Sequence, residues 1–160
     1  MSIKILVLLF ALASACGAKE VTVGGRVQFE YDDTRWQRRP TTVPGADVVQ
    51  LVDEAGTFTV LVMPEKRIAG GLSSVESRRR YFEQLAKTNA RTEDVRPVEI
   101  AGKTGFEFLG KRDREGIEYR MRIVLIVDAG DVLILMSSAQ GMDPMSAPSI
   151  AAVWKSFMFP

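Results

Sequence analysis

The sequence contains no histidine, which removes the commonest general base and the commonest protein ligand for zinc and copper. It has one cysteine, Cys16, so no disulfide can close within the chain. It also lacks an apolar run of the roughly twenty residues that a membrane-spanning helix requires. An excess of charge is missing too. Basic residues number 21 against 20 acidic ones, and Lys4 is the one charged residue among the first fifteen, so without that stretch the balance is 20 against 20. A neutral chain makes no general electrostatic case for nucleic acid or anionic lipid, and no nucleic-acid partner is expected.

The chemistry that remains is sparse. Serine catalysis would need a base such as lysine, but Ser156 and Lys155 are neighbours in sequence and point to different sides of a helix. Carboxylates occur side by side at Asp32 with Asp33, Asp53 with Glu54 and Glu93 with Asp94. Such pairs could serve an acid-pair hydrolase or an oxygen-ligand calcium site, yet all three fall in predicted turns or loops, where these residues normally solvate and cap. Gly24 with Gly25 and Gly70 with Gly71 lack the Lys-Ser/Thr or the third glycine of a phosphate-binding loop, and they read as flexible loops. No catalytic residue, metal site or cofactor is assigned.

What is present begins at the N-terminus. Behind Lys4, residues Ile5 to Ala13 form an apolar run of about nine residues, the length of an export signal's hydrophobic region. Ala13, Ser14 and Ala15 follow, and then Cys16. This junction resembles the lipobox of bacterial lipoproteins, in which the cysteine is acylated and becomes the new N-terminus. Family members usually carry Leu three residues before the cysteine; here that residue is Ala13, and Leu12 lies one further back. The small pair Ala13 and Ala15 also suits ordinary signal peptidase, which would release a soluble periplasmic protein. Lipid anchor is the favoured reading of Cys16, because acylation removes the oxidation risk of an exported free thiol; a discarded leader residue and a reactive thiol are the alternatives. The resemblance also implies sorting to the outer membrane, since Gly17 rather than Asp follows the cysteine. The expected division is a signal peptide over 1–15, a lipidated N-terminus and linker over 16–20, and one domain over 21–160.

Within that domain, Val27, Phe29 and Tyr31 alternate with Gln28 and Glu30, the period of a half-buried strand. Residues 32–47 are rich in charge, Pro and Gly and read as a long loop. Strands are expected at 48–52 and 57–63, then at 98–100, 105–109, 117–127 and 132–138. Between these blocks Val75, Arg79, Phe82, Leu85 and Ala86 recur at helical steps, and Ser73 with Glu76 has capping-box spacing. A final stripe of Ile150, Val153, Trp154 and Phe157 predicts a short helix packed on the sheet. The fold class is α+β, an antiparallel sheet with covering helices.

Basic residues gather at Arg78 to Arg80, where acidic neighbours Glu76 and Glu83 suggest a solvated helix surface, and at Arg35, Arg38 and Arg39 around Trp36. The second group has two readings: a contact for a partner or glycan, or an indole that folds back to close the core. On the first reading Trp36→Ala would cost far less stability than Trp154→Ala.

The order of elements, with 27-VQFEYDDTRW-36, 99-EIAGKTGFEF-108 and Ser156-Phe157, resembles the PsbP and Mog-type α+β sandwich, including bacterial lipoproteins of the DcrB type. The resemblance covers roughly 21–159 and includes no catalytic motif. It implies a non-enzymatic domain that docks onto a protein partner. The favoured function is therefore a lipid-anchored envelope protein with a binding or scaffolding domain facing the periplasm, in contact with an envelope protein or the cell wall. The alternative is a small exported enzyme using carboxylates. Mass spectrometry of the mature chain should find Cys16 acylated at the N-terminus, and Cys16→Ala should move the protein from membranes to the soluble fraction nearly completely, since multiple acyl chains anchor firmly. A mature chain that begins elsewhere defeats the anchor.

Overall fold

The computed structural model describes residues 17–89 and 91–160; the leader and Cys16 lie outside the described residues. In chain order the strands are β1 (Ala18–Val23), β2 (Val27–Asp32), β3 (Gln37–Arg39), β4 (Asp47–Val52), β5 (Gly56–Pro64), β6 (Arg91–Ile100), β7 (Lys103–Arg114), β8 (Ile117–Asp128) and β9 (Asp131–Gln140). The helices are α1 (Val75–Asn89) and α2 (Pro148–Lys155). Strands β3-β4-β5-β9-β8-β7-β6, in that order, form a seven-stranded antiparallel sheet, and β1 with β2 forms a separate ribbon. The α+β class with an antiparallel sheet and covering helices is thus observed.

The sheet is buried on both sides, and β8 shows why. Its residues Ile123, Val124, Leu125 and Ile126 are all buried, because alternate side chains enter different cores. Val124 and Ile126 join the ribbon and α2; Ile123 and Leu125 face α1 through Phe82 and Ala86. The result is three layers: ribbon with α2, sheet, α1.

The ribbon reverses through Gly24 and Gly25, whose φ values of +57° and +65° give a type I′ turn closed by a 3.0 Å bond from the Arg26 amide to the Val23 carbonyl. A Cβ at Gly24 would lie 2.9 Å from Val62 Cγ1, so the turn sits directly on the sheet. Arg26 then pins this end, 2.9 Å from Asp128 Oδ2 and 3.2 Å from Asp131 Oδ2.

Several expectations need correction. The segment read as a linker is mostly strand: β1 starts at Ala18, and Lys19 and Glu20 stand opposite Tyr31 and Glu30. The loop expected over 32–47 contains β3, a short exposed edge strand. The cap of α1 is one residue later than the spacing implied. Ser74 Oγ accepts from the Ser77 amide at 3.0 Å and Ser77 Oγ from the Ser74 amide at 3.1 Å, so a Ser-Ser pair closes the capping box in place of Ser73 and Glu76. Glu76 and Glu83 instead pair with Arg80 and Arg79 one turn away, at 2.8 and 3.0 Å, on the solvated face expected for them.

At the C-terminus Ile150, Val153, Trp154 and Phe157 are all buried, as their spacing predicts, with Pro148 in the first turn of α2. Trp154 stacks edge-on against Phe58 at 5.2 Å between centroids and donates from Nε1 to Ser137 Oγ at 3.0 Å. Trp36 is equally sequestered. It is 3% exposed and belongs to the same apolar cluster, so the indole closes the core. Both Trp154→Ala and Trp36→Ala should accordingly cost about 3–5 kcal/mol in chemical denaturation. A Trp36→Ala protein close to wild type in stability would return that residue to the surface.

Candidate functional site

The turn that follows β2 sorts its side chains by local hydrogen bonds. Asp32 Oδ1 accepts from the Thr34 amide at 2.9 Å and from Thr34 Oγ1 at 2.6 Å, while the Asp32 carbonyl accepts from the amides of Arg35 and Trp36. This tight reversal sends Trp36 inward and leaves Arg35 exposed. Above Trp36 runs the outer face of α2, where Ala152 is exposed because Ile150, Val153 and Trp154 occupy the inner face. Between them lies a groove of about 410 Å³ whose lining includes Glu30, Asp32, Arg35, Trp36, Ala152 and Ser156. A second, more polar depression of about 480 Å³ lies beyond Arg35, against Thr34, Gln37, Asp53 and Glu54. Arg35 borders both.

Four polar side chains in and beside the groove, those of Asp32, Asp53, Ser149 and Ser156, are engaged. The Thr34 hydroxyl, then the Thr34 amide, hold the Asp32 carboxyl below the usual carboxylate range by bonding its charged form, and Arg35 adds to the effect. Asp53 accepts from the amides of Ala55 and Gly56 at 2.7 and 3.0 Å and from Ser149 Oγ at 2.6 Å. Ser156 Oγ accepts from the Glu30 amide at 2.9 Å and reaches the Val153 carbonyl at 2.8 Å, so it caps α2 and ties it to β2. Ser156, Asp32 and Asp53 are thus taken up in local structure. The side chains of Glu93 and Asp94 lie outside the described residues.

The four residues read as one contact surface are only partly brought together. Arg35 stands on the groove rim and Trp36 forms part of its lining, but Arg38 and Arg39 continue along β3 opposite Leu51 and Gln50. Leu51 belongs to the ribbon-side core, and successive strand residues face opposite ways, so Arg38 and Arg39 project from different faces of the sheet edge. Both are exposed. Arg38, on the face of Leu51, shares the ribbon side with Trp36 but is outside the groove's lining, and Arg39 projects from the other face.

A charged cluster escaped the sequence reading. Glu107, 4% exposed, accepts from Arg96 Nε at 2.7 Å and Arg122 Nε at 2.8 Å, and the Arg122 guanidinium lies 4.2 Å from the centre of the Trp154 ring. The sequence signal was faint, since Glu107, Arg120 and Arg122 stand at the ribbon-facing positions of β7 and β8 that alternate with apolar Phe106, Phe108, Met121 and Ile123, and so read as a solvated face.

No protein-family model matches the chain, and no curated protein matches it. Among solved structures it is similar to a protein from Bacteroides thetaiotaomicron VPI-5482, with a TM-score of 0.62 and 14% identity over 91% of this chain and 49% of that one. The chain thus spans about half the length of that protein. It is also similar to PA94, a protein of unknown function from Pseudomonas aeruginosa, at TM-score 0.49 and 14% identity over 87% and 94% of the two chains. LpqN, involved in cell envelope biogenesis of Mycobacterium tuberculosis, matches at TM-score 0.46 and 12% identity over 89% and 90%. The first similarity establishes the fold and nothing of activity.

The Asp32 turn yields a direct measurement. Its carboxyl titrates below the unfolded-state value, so its stabilising contribution is present above the unfolded pKa and fades as pH falls through the folded one. Thr34→Val should raise the Asp32 midpoint toward the ordinary carboxylate value in an NMR titration, and an unchanged midpoint would show that the hydroxyl is not the cause.

Proposed function

We propose that the chain is an exported lipoprotein anchored through acylated Cys16, and that its α+β domain is a non-catalytic docking or scaffolding module of the cell envelope. Its architecture on this reading is of the PsbP and Mog-type, as in DcrB-type lipoproteins. The observation that carries the proposal is the junction of a nine-residue apolar run, three small residues and the sole cysteine of the chain. Support for docking over chemistry comes from the groove. Asp32, Asp53, Ser149 and Ser156 hold turns and helix ends, which leaves Trp36 and Ala152 as apolar lining and Arg35 and Glu30 as charges for pairing. An apolar floor with charges beside it suits a segment of a protein partner.

A photo-crosslinking residue at Ala152 tests this in the full chain in native membranes, with the same residue at Arg80 on α1 as the control. An envelope-protein adduct is expected from position 152 and not from position 80. Equal labelling at the two sites, or none at 152, removes the groove as the docking surface.

A further inference from the structure

We infer that the end of the sheet where the chain enters the ribbon rests directly on the bilayer, with Ile117 and Met142 as its apolar lipid contacts; the inference rests on the acylation of Cys16 proposed above. The strand registers define that end. Ala18 faces Asp32, Gln37 faces Val52, Gly56 faces Ala139, Tyr119 faces Gln140 and Arg114 faces Ile117. Gly17, the Asp53–Gly56 turn, the β7–β8 turn and the loop after β9 therefore lie at one end. The Gly24–Gly25 turn and the Arg26 pairs with Asp128 and Asp131 mark the other.

Two independent features converge on the entry end. The first is the absence of a tether. Gly17 is bonded to Cys16, its carbonyl accepts from the Asp33 amide at 2.7 Å, and β1 starts at the next residue. Consecutive Cα atoms are about 3.8 Å apart, so an acyl group on Cys16 holds this end at headgroup level. The second is where large apolar side chains are exposed. Five among the described residues are, and Ile117, Met142 and Met145 belong to this end. The Gly141 amide donates to the Glu118 carbonyl at 2.9 Å, which sets Met142 beside Ile117. Exposed Arg112 and Arg114 flank them, and their stems suit apolar depth while their guanidinium groups reach phosphate. Toward the opposite end Arg26 and Lys103 are spent on Asp128, and the exposed apolar residues are Val75 at the start of α1 and Met158, paired with Gln28 near the Gly24–Gly25 turn. The groove at Arg35 then opens beside the lipid surface, so its partner is met at that level.

The test uses the acylated full chain in phosphatidylcholine–phosphatidylglycerol vesicles carrying a headgroup nitroxide. With Cys16 acylated, an introduced cysteine is the chain's one free thiol, so Met142→Cys and Val75→Cys accept a single environment-sensitive fluorophore each. Both positions are exposed, and circular dichroism checks that the fold is retained. The label at 142 should lose most of its fluorescence to the nitroxide while the label at 75 keeps most of its own. Equal quenching, or stronger quenching at 75, overturns the orientation while leaving the anchor intact. If the unsubstituted chain takes up label at Cys16 and stays in the supernatant, the anchor fails and the orientation falls with it.

Discussion

The ribbon, α2 and the sheet are held together by one aromatic contact set. Phe29 comes from the ribbon, Phe58 from the centre of the sheet, and Trp154 and Phe157 from α2 and the residues after it; their rings lie 5.2 to 6.1 Å apart, centre to centre. Aromatic pairs of this kind add to area burial and prefer tilted geometries. The rings come from three segments distant in sequence, so the seating of the ribbon and that of the C-terminal helix are coupled. Met158 completes the closure by pairing with Gln28 through both backbone bonds, at 2.9 and 2.8 Å. The strand pairs other than β5 with β9 join neighbours in sequence, so this clasp and the β5–β9 pair are the closures that span long stretches of chain and weigh most on the rate of assembly.

The polar groups within this core follow from the same arrangement. Placing Trp154 over β8 and β9 buries an indole N–H that needs an acceptor, and Ser137 supplies it. The neighbouring Arg122 is 12% exposed at its side chain and requires a carboxylate, which Glu107 provides while also binding Arg96. Removing Glu107 would strand one buried cation, so the cluster acts as a register lock more than a source of net stability. The groove lies on the outer side of the same helix, and its shape is therefore inherited from how α2 is seated.

How much of this was readable depended on where each element finds its partners. β8 and α2 announced themselves because their periodicity of two and of three to four reflects burial on both faces and on one stripe, as Ile117–Asp128 and Ile150 to Phe157 confirm. β1 and β3 did not. Ala18, Lys19 and Glu20 are exposed, as are all three residues of β3, and such segments become strands only because β2 and β4 offer them edges. Trp36 stayed between two readings for a related reason: its sequence neighbours are charged, and only the Asp32–Thr34 turn decides which of them points inward. The groove was invisible, since Ala18, Trp36 and Ala152 meet through topology and carry no common motif.

The ribbon has a mechanical consequence. β1 is hydrogen-bonded to β2 alone, and its entry point at Gly17 lies at the end where β2 finishes. β2 is held from behind by its core side chains and by the Met158 clasp. A pull on Gly17 along the strand axis thus loads the pairs from Ala18–Asp32 to Val23–Val27 in shear, all at once, whereas a sideways pull would peel them one by one. A domain attached at this point resists being lifted more strongly than being tilted.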